Sequence, residues 1–225
     1  NQHTNIDVEV RKTYNLTKNQ IAARPFCLFI SYSGNTEETI SVAKDAIDEN
    51  LEWAAISSGG ELLDLATKHN KKFVKVPDGL QPRAAFGLMT KAVVNYLPNQ
   101  TKKIFINACE EAGNYLNNLT EDASNEVFEI SKDIANQIGS KTAVIYAGSD
   151  LTYLVAQRWK TQINENSKSK AYVGFMPEVH HNEILSWEAD QEGSKNNFIL
   201  ILLRGDDYEK IDNRFELTKE LIGSK

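Results

Sequence analysis

Short apolar runs of strand length alternate along this chain with segments of helical spacing, and this alternation restricts the fold more than any other feature. The runs are residues 24–31 (RPFCLFIS), Trp53–Ser57, 73–76, Thr142–Ala147, 171–176 and Phe198–Leu203. A shorter stretch at 6–10 alternates through Ile6, Val8 and Val10 and also reads as a strand. Most of the runs are apolar throughout rather than at every second residue, as strands covered on both faces of a parallel sheet require. Helical segments lie between them at 36–49, 61–68, 83–96, 121–138, 151–166, 180–190 and 207–222. In the first of these Ile40, Ala43 and Ile47 recur at helical spacing behind a cap at Asn35 or Thr36. In the third, Phe86, Met89, Val93 and Tyr96 share one side. Strand–helix alternation of this kind predicts right-handed βαβ units and an α/β fold. The design occurs twice, in residues 1–105 and 121–225, and residues 106–120 read as a linker with some helix of its own.

Composition removes several classes of function. With 225 residues, 41% hydrophobic and 25% charged, the chain can bury a real core and is not disordered as a whole. Lys and Arg number 25 against 31 Asp and Glu, a formal charge of −6. The pairs Lys71-Lys72 and Lys102-Lys103 make no basic stripe, so nucleic acid is not an expected partner. No apolar run approaches the roughly 18 residues of a membrane helix, so no membrane partner is expected. Cys27 and Cys109 both stand among apolar neighbours and read as buried thiols in a reducing, cytoplasmic setting. No set of His and Cys stands at metal-ligand spacing, and neither a metal nor a cofactor is expected. The chain starts at Asn1 and its methionines are Met89 and Met176, so Asn1 is not expected to be a native translation start.

Open parallel sheets bind ligands beyond the carboxyl ends of their strands. After the first long apolar run comes Ser31-Tyr32-Ser33-Gly34-Asn35-Thr36, which leads into a helix. Hydroxyls and a glycine at a helix N-terminus suit an anion, and uncharged donors suit a phosphate monoester. The loop lacks the lysine of a Walker loop and the spacing of a dinucleotide fingerprint, and an ordinary capped turn would carry similar residues. Glu165, between Asn164 and Asn166 at the end of a long helix, could be a general base or a solvated helix end. His180 and His181 point apart as neighbours must; one could do acid–base work near neutral pH, or the pair could cap a helix. Arg83, after the Pro77-Asp78-Gly79 turn, could hold an oxyanion or be a surface cation.

Four of these pieces together carry a resemblance. SYSGNTEET at 31–39 resembles the phosphosugar-binding loop of sugar isomerase (SIS) domains. QPRAA at 81–85, NEN at 164–166 and PEVHHNEI at 177–184 resemble the bifunctional phosphoglucose/phosphomannose isomerases. Order and spacing match across nearly all of the chain. The first motif alone points only to the superfamily, and the combination is much more specific.

The resemblance implies two SIS-type three-layer domains, with parallel β-sheets flanked by helices. It implies an aldose–ketose isomerase that interconverts glucose 6-phosphate or mannose 6-phosphate with fructose 6-phosphate through a cis-enediol. Its partner would be a small-molecule sugar phosphate, with no metal or cofactor. By position in the motifs, Ser31, Ser33 and Thr36 would hold the phosphate, with Gly34 and Asn35 as further candidates. Glu165 would move the proton, His181 would assist ring opening with His180 as the second candidate, and Arg83 would stabilise the enediolate. The family also implies a cytoplasmic homodimer whose site takes a histidine from the neighbouring subunit. Two departures stand out. No Gly-rich loop of the GMGGSG kind precedes Ile6, and no strand–helix unit follows 207–222 to deliver the family's lysine, a role that does not transfer to Lys219. Both domains are therefore expected to be incomplete, in a central fragment. Two other functions fit the loop: a phosphosugar-binding regulatory module without catalysis, and an isomerase of another sugar phosphate.

Overall fold

The computed structural model describes residues 7–121 and 126–223. The chain divides into two units, residues 1–121 and 122–225. In the first, helix α1 (Lys18–Ala23) opens on a reciprocal Thr17–Gln20 capping box and ends where Arg24 turns left-handed. Strand β1 (Cys27–Ile30), helix α2 (Glu37–Asp48), strand β2 (Trp53–Ser57), helix α3 (Gly60–Lys68) and strand β3 (Lys72–Lys75) follow. The three strands run parallel in the order β1-β2-β3, with Cys27 opposite Trp53 and Ala54 opposite Lys72.

Every residue of the central strand β2 is buried, because helices cover both faces of the sheet. On one face Phe29, Trp53 and Ala55 meet Ile40, Ala43, Leu62 and Ala66 of α2 and α3. On the other, Ile56 packs with Val76 and Ala92, flanked by Tyr32, Met89 and Val93. Ile56 and Leu62 are both 0% exposed, and burying a side chain of that size is worth about 2 kcal/mol. Beyond β3 a short 3-10 turn (Pro82–Ala84) precedes helix α4 (Phe86–Val94), and helix α5 (Asn99–Glu121) closes the unit.

The second unit contains helix α6 (Glu126–Ile138), strand β4 (Thr142–Ala147), helix α7 (Asp150–Gln162), a π-helical turn (Ile163–Ser167) and strand β5 (Ala171–Phe175). Helices α8 (Val179–Asn182), α9 (Ile184–Ala189) and α10 (Gln191–Asn197), strand β6 (Phe198–Leu203) and helix α11 (Glu209–Gly223) complete it. This sheet is also parallel, in the order β5-β4-β6. Alternate residues of β4 feed two cores. Val144 and Tyr146 join Met176, Val179 and Phe215, and Ile145 and Ala147 join Ala156.

Several expectations need correction. Residues 7–10 form no strand and are exposed, and Ile6 lies outside the described residues. Residues 106–120, read as a linker, sit inside the continuous helix α5. Residues 122–125 of the helix expected over 121–138 lie outside the described residues. The helix expected over 83–96 is interrupted at Ala85 (φ −81°, ψ 4°), so Arg83 stands in the 3-10 turn before α4. Cys27 is half-buried, but Cys109 is exposed on α5, and both thiols are free. Among the described residues no helix is long and apolar enough to cross a membrane.

Candidate functional site

In the first unit the loops that leave β1 and β2 interlock. Ser31, directly after β1, is buried, and its Oγ lies 2.7 Å from Thr36 Oγ1 and accepts from Gly34 N at 3.1 Å. Thr36 holds the N-cap position of α2, yet its hydroxyl makes no bond to its own helix and faces Ser31 instead. Ser33 Oγ accepts from Asn35 N at 3.2 Å. The second loop, residues 57–60, closes on the first. Ser58 donates to Tyr32 O from both its main-chain N (2.9 Å) and its Oγ (2.7 Å). Ser57 Oγ reaches the same carbonyl at 3.2 Å. Leu62 N donates to Gly34 O at 2.9 Å, and Glu61 N donates to Asn35 Oδ1 at 3.0 Å.

Gly34 makes this closure possible. It sits at φ 72°, and a Cβ there would lie 1.8 Å from Gly59 O. The result groups the hydroxyls of Ser31, Ser33 and Thr36 at the N-terminus of α2, beyond the carboxyl end of the sheet. Partial positive charge from the helix and uncharged donors suit that place to an anion. The sequence signal for residues 57–60 is Ser-Ser-Gly-Gly directly after an apolar run, which by itself marks only a turn.

Arg83 follows the turn at 77–80, which is tied to Tyr32. The Tyr32 hydroxyl donates to Pro77 O at 3.0 Å and accepts from Leu80 N at 3.0 Å. Ala84 N then donates to Gln81 O at 2.8 Å and Ala85 N to Pro82 O at 3.2 Å, which closes the short turn that carries Arg83.

In the second unit Glu165 lies in the π-helical turn after α7 and is exposed. Asn164 Nδ2 donates to Ser169 O at 2.9 Å, and Lys168 Nζ donates to Glu165 O at 2.7 Å, so both flanks of the turn are held. His180 and His181 come after the other end of β5, in α8. A five-residue strand at about 3.3 Å per residue spans about 16 Å, so Glu165 and His181 stand at opposite ends of the same strand. This unit does not bring its own Glu165 and His181 together.

The two histidines differ sharply. His181 is exposed. His180 Nε2 lies 2.7 Å from Thr218 Oγ1, and Thr218, itself 0% exposed, donates its hydroxyl proton to Arg214 O at 2.8 Å. The proton between His180 and Thr218 therefore belongs to Nε2, which donates. Burial, with Arg214 and His181 nearby, holds His180 below its usual range, so it is neutral at pH 7. Other residues of the 177–184 motif build structure. Tyr146, buried in the core, donates to Glu183 Oε2 at 3.0 Å and accepts from Trp187 Nε1 at 2.8 Å. Burial pushes that phenol well above its ordinary range. Among the described residues no three His, Cys, Asp or Glu side chains gather as a metal site.

Comparison with known proteins shows what the chain is similar to. Residues 129–225 match the family described as the bacterial phospho-glucose isomerase C-terminal SIS domain. That part of the chain is similar to SIS domains. It is 36% identical over 198 residues to the bifunctional phosphoglucose/phosphomannose isomerase of Aquifex aeolicus (strain VF5), covering 88% of this chain and 58% of that one. It is 32% identical over 219 residues to the D-glucosamine-6-phosphate 4-epimerase of Sulfolobus acidocaldarius, covering 95% of this chain and 65% of that one. The chain thus spans less than two thirds of the length of these relatives. Among solved structures, the C-terminal domain of glucosamine-fructose-6-phosphate aminotransferase from Francisella tularensis shares the fold. Its TM-score is 0.58 at 17% identity, over 89% of this chain and 56% of that one.

Proposed function

We propose that the protein is a phosphohexose isomerase that interconverts glucose 6-phosphate or mannose 6-phosphate with fructose 6-phosphate. What carries the reading is the likeness to a relative of that name over 88% of the chain, in a molecule whose first unit gathers hydroxyls at a helix N-terminus. Ser31, Ser33 and Thr36 hold the phosphate, with Gly34 and Asn35 shaping the loop. Glu165, as carboxylate, takes the proton from C2 of the open-chain aldose and returns it to C1, through a cis-enediol. Negative charge that develops on the oxygens meets Arg83, a cation that needs no proton exchange to act. His181 moves a proton during ring opening. The step balances without a further reactant: the proton on C2 ends on C1, and the hydroxyl proton on O2 ends on O1.

The reading includes a homodimer in the cytoplasm, with a histidine from a second copy completing each site. The opposite placement of Glu165 and His181 along β5 supports that arrangement. The epimerase relative favours a second reading, in which the same phosphate loop serves an amino-sugar phosphate.

The test is a panel of hexose and amino-hexose 6-phosphates offered to the intact protein and to Glu165→Gln. The variant should lose about 10³-fold or more in isomerisation and keep its affinity for fructose 6-phosphate. Unchanged turnover in the variant overturns the assignment. Tight binding of fructose 6-phosphate with no turnover by the wild type would leave a phosphosugar-binding module instead.

A further inference from the structure

Tyr32 lies between two of the phosphate-loop serines, yet its side chain serves another part of the unit. Its ring packs beside Ile56, Val76 and Ala92, and its hydroxyl is committed at both of its functions. It donates to Pro77 O at 3.0 Å and accepts from Leu80 N at 3.0 Å, so one oxygen closes both ends of the turn that leaves β3. Residues 77–80 are exposed, and this anchor ties them to the sheet. Three residues beyond Leu80 stands Arg83, in a turn begun by Pro82 with its fixed φ. The main chain of Tyr32 is held just as firmly, through Ser57 and Ser58 on its carbonyl.

We infer that Tyr32 is a positioning residue, which couples the phosphate loop to Arg83 so that the site's anion-binding loop and its cation keep one fixed separation. The inference rests on the isomerase reading above. Its physical basis is preorganisation. A cation stabilises an enediolate only if it is in place before charge develops, and misplacement by 1 Å can cost about 10²-fold in rate. The loop's own hydroxyls need no such help, since Ser31, Gly34 and Thr36 are bonded among themselves. Loss of the Tyr32 hydroxyl should therefore reach the chemical step through Arg83 and leave phosphate binding intact.

The test is a double-mutant cycle in the intact protein with Tyr32→Phe and Arg83→Ala. Tyr32→Phe should lower kcat by about 10- to 100-fold while KM stays within about twofold. In the Arg83→Ala background the same change should cost less than about twofold, because the group it positions is gone. Thermal unfolding and calorimetric binding of fructose 6-phosphate confirm that each variant is folded and binds. Equal losses in both backgrounds, or a loss confined to KM, overturn the positioning role. A wild-type protein that isomerises no hexose phosphate overturns the isomerase reading itself, and the positioning role with it.

Discussion

In the first unit, the loops beyond β1 and β2 are bonded to each other. Tyr32 O takes donors from Ser57 and Ser58, and Asn35 Oδ1 caps the first turn of α3. In the second unit, the loop beyond β4 is bonded within itself, with Ser149 and Thr152 in a reciprocal capping box. Asp207, beyond β6, likewise accepts from Gly205 two residues away. The same layered design thus carries loops hydrogen-bonded to each other in one unit, and in the other loops that bond internally and meet by side-chain packing.

Two glycines provide the strongest test of this contrast. A Cβ on Gly34 would strike backbone, 1.8 Å from Gly59 O, at a positive φ. A Cβ on Gly148 would meet side chains of Ile211, Asp207 and Phe215 at 2.6 to 2.8 Å. Gly34→Ala should therefore destabilise by about 3 kcal/mol or more and abolish phosphosugar binding, since neither loop can move without the other. Gly148→Ala should cost about 1–3 kcal/mol, as side chains repack. Denaturant unfolding with a fructose 6-phosphate titration measures both. Equal costs would break the comparison.

The smallest expected effect concerns pH. His180 is held below its usual 6.5, so the unfolded chain takes up a proton more readily than the folded one. The stability tied to neutral His180 is present above about 6.5 and is lost as pH falls below it. His180→Gln removes this titration. The unfolding midpoint of the wild type should drop more than that of the variant between about pH 7.5 and about pH 5.5. Parallel curves would show that His180 does not set the slope.

Much of the fold was legible because burial on both faces leaves a simple trace. Trp53–Ser57, Thr142–Ala147 and Phe198–Leu203 form strands over the residues their apolar runs marked. Where a single local signal stood alone it misled, as at 7–10, whose alternation finds no neighbouring strand. Helix α10 (QEGSKNN) escaped notice because it has no apolar stripe, although Asp190 caps it. Helix α1 did announce itself, through Thr17 and Gln20, but its short apolar content hid it. The hydroxyls of residues 31–36 were readable as a motif. Its bracing by residues 57–60 was not, because Gly34 meets Gly59 only after two strands have paired. Nor does spacing reveal that β5 separates Glu165 from His181, since distance along a strand emerges only with the strand's ends.

The interlocked loops also bear on how such a protein can change. Residues 31–36 and 57–60 share carbonyls, caps and a contact with no spare room, so a substitution in either is felt by both. They will drift as one block or not at all. New substrate preference, whether arising naturally or by design, should therefore be sought outside these two loops, where a change leaves their shared bonds intact.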